Sequence, residues 1–164
     1  MLLVRNLLLC FVLLTSTLAY SDERFPDGPD FEMTPGKLCD SPTEHRYAEH
    51  IAYCERNVSP DTKNAVIANY DRKLGYKIRS MPRSDFKIDH FIPLSVGGSN
   101  EVENLWPQHK SIYAYSDKIE SYVSELMRSG KLKQVDAINA VVNCKLELKR
   151  CADIESDLAK LVRN

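Results

Sequence analysis

Between residues 86 and 128 the hydrophobic period of the chain changes once, and the change predicts a strand, a loop, a second strand and a helix. Phe86, Ile88 and His90 alternate with Lys87, Asp89 and Phe91, the two-residue period of a short strand over Phe86 to Ile92 that carries Asp89 and His90 to opposite sides of its end. Pro93 and the Gly97-Gly98 pair close a loop, Glu103 to Trp106 reads as the returning strand, and Pro107 is expected to end it. From Gln108 the apolar residues Ile112, Tyr115, Ile119, Tyr122, Val123 and Leu126 recur at steps of three and four, an amphipathic helix that Gly130 stops. Tyr113, Asp117, Glu120 and Ser124 share the face beside that apolar stripe.

The flanks read as helical scaffold. Ser41, Pro42 and Glu44 form a capping-box pattern, and Tyr47, Ile51 and Cys54 follow at i, i+4 and i+7, so a helix is expected there. Ser59-Pro60 starts another, which Ala65, Val66, Ala68 and Tyr70 carry toward Gly75. Residues 131–164 suggest two more helices, around Val135, Ile138 and Val142, then Ile154, Leu158 and Leu161. His45 and His50 are no chelating pair, because five residues on a regular helix separate side chains by about 140°. The expected class is α+β and mainly helical, a single domain over 39–164 with its core at 86–128, preceded by an extended tail or linker over 20–38.

Residues 2–19 are almost wholly apolar and end in Thr17-Leu18-Ala19, the pattern of a secretory signal peptide cut after Ala19. Export would leave four cysteines, Cys39, Cys54, Cys144 and Cys151, an even number that reads as two disulfides in an oxidising compartment. Cys39 to Cys54 and Cys144 to Cys151 is the working pairing; zinc on these thiols is disfavoured because no CxxC is present. The formal net charge of −1 does not by itself mark a nucleic-acid binder. Locally the balance differs, since Arg72, Lys73, Lys77, Arg79, Arg83 and Lys87 crowd the approach to Asp89 with only Asp85 against them. Of these, Lys77, Arg79, Arg83 and Lys87 are the candidate phosphate contacts.

An Asp beside a His, an Asn downstream and an acid on the following helix are the parts of a one-metal phosphodiesterase site. Asp89-His90-Phe91-Ile92-Pro93-Leu94, Gly97-Gly98-Ser99-Asn100, Asn104-Leu105-Trp106-Pro107-Gln108, and then Asp117 and Glu120, occur in that order. The composite resembles the HNH (His-Asn-His, ββα-metal) endonuclease superfamily, in its secreted or phage-type branch, over roughly residues 54–130. It departs from the family in lacking the last His of the name at its expected helical position.

The resemblance implies a ββα-metal core embedded in additional helices, and hydrolysis of DNA or RNA phosphodiesters with low sequence specificity through phosphate contacts. His90 would be the general base, Asn104 would orient its ring, and Asp89 would hold one divalent ion, Mg²⁺ first, with Mn²⁺, Zn²⁺ or Ni²⁺ as alternatives. The second protein ligand is expected at Asp117, with Glu120 and His109 as alternatives. A secreted or periplasmic monomer, free of membrane after signal removal, fits this reading. The rivals are a nuclease toxin or effector with a cognate inhibitor protein, and an inactive nucleic-acid-binding module of the same fold.

Overall fold

The computed structural model describes residues 24–163, so the expected signal peptide lies outside the described residues. Within them the chain is mixed α+β, with two two-stranded antiparallel sheets and four helices. In chain order these are β1 (Glu44–Arg46), β2 (Ile51–Tyr53), α1 (Pro60–Leu74), β3 (Phe86–His90), β4 (Leu105–His109), α2 (Tyr113–Arg128), α3 (Gln134–Leu146) and α4 (Cys151–Arg163). No described helix is long and apolar enough to cross a membrane.

The helix expected from Ser41 is instead the β1–β2 hairpin, with Glu44 opposite Tyr53 and Arg46 opposite Ile51. Its turn places Tyr47 and His50 at φ 62° and 52°, left-handed geometry that a continuous helix excludes. Tertiary contacts outweigh the capping pattern here. Cys39 and Cys54 are disulfide-bonded across the base, Tyr47 Oη donates to the Ser95 carbonyl at 2.8 Å, and Ile51 is buried in the core. An apolar spacing of four and three serves two strands as well as one helix when the chain reverses between them.

The other expectations hold more closely. Ser59 caps α1 through Thr62 N at 3.0 Å, Pro60 sits at its first turn, and Gly75 ends it at φ 79°. The expected strands and helix appear as β3, β4 and α2, in that order. Pro107 does not end the second strand: it lies within β4 opposite Ile88. A proline is tolerated there because β4 has one neighbour only and can leave a backbone position unpaired. Tyr115, expected on the buried stripe of α2, is half exposed; Ser116 and Met127 are buried on that helix.

Two apolar clusters form the core. One joins α1 to the β3–β4 sheet through Val66, Ile67, Tyr70, Phe86, Ile88, Leu105 and Trp106. The other packs α2, α3 and α4 through Ile119, Val123, Leu126, Val141 and Leu158, and takes in Ile51 and Val96. Cys144 and Cys151 are bonded at the α3–α4 junction, so both expected disulfides are present. The segment expected as a linker is not loose. Thr34 is fully buried, with its hydroxyl donating to the Leu105 carbonyl at 2.9 Å; Phe25 stacks on His109; and Leu38 bridges to Gly98.

Candidate active site

β3 ends where the chemistry is concentrated. Asp89 and His90 are both buried, and the loop that follows them returns at Asn104, which is fully buried. The Asn104 side chain is consumed by that loop: Oδ1 accepts from Ile92 N at 2.9 Å, and Nδ2 donates to the carbonyls of Ile92 and Ser99, both at 2.9 Å. Only an amide offers acceptor and donor in this arrangement. Gly98 is required beneath it, since a Cβ there would lie 1.8 Å from the Ile92 carbonyl oxygen.

Asn104 therefore does not make the expected contact with His90. Asn100 makes it, its Oδ1 lying 3.1 Å from His90 Nε2. The Asn100 amide is oriented by two further bonds, Nδ2 to the Glu55 carbonyl at 2.7 Å and Asn57 N to Oδ1 at 3.2 Å. With an acceptor held against Nε2, the neutral ring carries its proton there and leaves the Nδ1 lone pair free. Burial, only partly offset by the Asn100 bond and reinforced by the nearby Arg56 charge, pushes the His90 pKa down to about 4. The imidazole is thus neutral throughout the neutral range.

Asp89 lines an open cleft together with Arg56, Lys87, Ser95, Asp117, Glu120, Ser124 and Arg128. Behind it lies a residue absent from the sequence expectations, Lys145 of α3, which is fully buried. Its ammonium donates to Asp89 Oδ2 at 2.8 Å and to the His90 carbonyl at 2.6 Å, and lies 2.7 Å from Glu120 Oε1. Burial opposes ionisation of Asp89, but the charges of Lys145 and Lys87 outweigh it and hold the carboxyl below the usual range. For Glu120 burial prevails over Lys145 and the pKa is raised. The lysine itself is held charged, its pKa raised by Asp89 and Glu120 against the cost of burial. The available signal was position: Lys145 stands on the buried stripe of α3 with Ala137, Val141 and Cys144.

The other expected residues divide. Asp117 is half exposed and pairs with Lys87 at 3.0 Å, at the mouth of the Asp89 cleft. Glu120 lies deeper and shares Lys145 with Asp89. His109 does not join them: at the other end of the sheet it stacks on Phe25 at 3.9 Å and bonds to Ser111. Among the four basic candidates Lys87 reaches the cleft, whereas Arg79 and Arg83 line a separate one with Asn64, Ile67 and Met81. Lys77 borders neither of these two clefts.

The donors facing the Asp89 cleft are carboxylate oxygens, the chemistry of a hard divalent cation. Glu120 Oε1 is closed off from solvent and receives no hydrogen bond, its 2.7 Å contact with Lys145 being one of charge without alignment. Among the described residues no three His, Cys, Asp or Glu side chains gather into a ready cage. An ion of the Mg²⁺ type needs none, since it binds through one or two carboxylates and fills its shell with water and substrate phosphate. The residues present fit that mode, with Asp89 and either Asp117 or Glu120. No protein-family model, curated protein or solved structure matches the chain.

Proposed function

We propose that the protein is a metal-dependent endonuclease of the HNH type, acting outside the cytoplasm on DNA or RNA phosphodiesters with low sequence specificity. The observation that carries the reading is the pairing at the end of β3: a neutral His90 buried and fixed through Nε2 by Asn100, and before it in the chain Asp89, which lines a cleft with Glu120, Arg56 and Arg128. The order of β3, β4 and α2 agrees with the expected ββα core, and the two disulfides suit an exported chain.

In this reading His90 Nδ1 takes the proton of the water that attacks phosphorus, while Asn100 keeps the ring in the tautomer that can do so. Arg56 and Arg128 offer positive charge to the phosphate. Asp89, with Glu120 or Asp117, would hold the divalent ion, which when bound supplies neutralisation of the phosphate charge and stabilisation of the leaving oxygen. Asn104 acts by holding the loop between the strands.

The test is cleavage of supercoiled plasmid by the purified mature protein with Mg²⁺, with and without EDTA, beside His90→Ala. Mg²⁺-dependent nicking that falls by about 10²- to 10⁴-fold in the variant, with DNA binding retained, is the expected result. Equal cutting by His90→Ala would refute the site. DNA binding with no cutting under any divalent ion would favour the inactive binding module.

A further inference from the structure

We propose that Lys145 is a positioning residue for the Asp89 carboxylate, an inference that rests on the nuclease reading. The Lys145 ammonium ties together β3, α2 and α3, through Asp89 Oδ2 at 2.8 Å, the His90 carbonyl at 2.6 Å and Glu120 Oε1 at 2.7 Å. Two of its N–H groups are thereby spent on the end of β3, and its charge also faces the carboxylate of Glu120 on α2.

Cohesion alone does not account for a charge at this position. Its companions on the buried side of α3 are Ala137, Val141 and Cys144, and an apolar side chain of similar volume would fill the space without the penalty of desolvating an ammonium. What a methionine could not do is take one carboxylate oxygen and leave the other. Lys145 binds Oδ2 of Asp89, and Oδ1 remains on the side where Lys87 stands 3.8 Å away, at the cleft. The same ammonium's bond to the His90 carbonyl fixes the backbone from which the imidazole projects. Lys145 itself is held at the end of α3 by its neighbour, Cys144, bonded to Cys151.

The experiment compares the parent chain with Lys145→Met, which keeps volume and removes charge. Folding is followed by circular dichroism, Mn²⁺ binding without substrate by electron paramagnetic resonance, and plasmid cleavage as kcat and KM. A folded variant with Mn²⁺ affinity at least tenfold weaker, kcat at least tenfold lower and KM for DNA unchanged supports the proposal, because a merely cohesive lysine would move melting and not this split. A folded variant with parental Mn²⁺ affinity and kcat overturns the proposal and leaves the nuclease reading standing. If Lys145→Met does not fold, the ¹⁵N resonance of the buried ammonium in the parent decides: a shift that saturates with Mg²⁺ supports the proposal, and an unmoved resonance overturns it. A parent chain that neither binds Mn²⁺ nor cuts would end the nuclease reading, and the proposal with it.

Discussion

Asn100 Oδ1 lies 3.1 Å from His90 Nε2, and the Asn100 amide is itself held by the backbone of Glu55 and Asn57, so the ring orientation at the end of β3 is set from the loop before α1. Asn104, four residues on, spends its amide on the loop backbone instead. The two asparagines therefore have separable effects. Asn100→Ala is expected to lower cleavage by about tenfold or more, in line with the worth of a positioned base, with little loss of stability. Asn104→Ala is expected to destabilise by about 2 to 4 kcal/mol, since it leaves buried backbone groups of Ile92 and Ser99 unpaired. Denaturant unfolding and initial nicking rates on both variants check this. Equal effects on stability would contradict the division.

Acid should destabilise the metal-free protein through His90. Its folded pKa is about 4 against an ordinary value of 6.5. Between these the unfolded ring is protonated and the native one is not, so the unfolded state binds more protons and gains as pH falls. The contribution is whole above about 6.5 and is lost on descending to about 4, a change on the order of 3 kcal/mol. Unfolding free energies of the parent and His90→Gln in EDTA, at pH 7 and pH 4, give the difference. A gap that does not change with pH would disprove it.

The second carboxylate is decided by a pair of substitutions. Glu120 shares Lys145 with Asp89, whereas Asp117 is half exposed on Lys87. Glu120→Gln is expected to raise the Mg²⁺ concentration for half-maximal cleavage by about tenfold, a loss of roughly 1.4 kcal/mol in binding. Asp117→Asn should raise it less. Cleavage rates over a Mg²⁺ titration read both, and the reverse order would move the ligand to Asp117.

Binding of the nucleic-acid backbone should follow the cleft rather than the run of basic residues in the chain. Arg56, Lys87 and Arg128 line the cleft of Asp89, while Arg79 and Arg83 line another. Arg56→Ala with Arg128→Ala is expected to reduce the slope of log K against log salt by about one unit for each phosphate that is no longer neutralised. Lys77, Arg79 and Arg83 changed together to Ala should alter it less. Fluorescence anisotropy of labelled DNA across salt concentrations measures both slopes. A larger change in the triple variant would show that the second cleft takes the backbone.

What the sequence determined by itself was local or carried by order. The period change at 86–128 located two strands and a helix, Ser59-Pro60 and Gly75 bounded α1, and the adjacency of Asp89 and His90 placed two candidate groups on neighbouring residues. Tertiary structure decided whatever depended on distant partners. An i, i+4, i+7 spacing at Tyr47, Ile51 and Cys54 could not announce a chain reversal that depends on Cys39, Ser95 and a core built mostly from α2, α3 and α4. Nor could it tell Asn100 from Asn104, because hydrogen-bond direction is fixed by the backbone of residues 55–57 and 92–99. Lys145 is the clearest case: 55 residues beyond His90, its charge is placed only when α3 packs behind β3, and burial there makes sense only once Asp89 and Glu120 are found facing it.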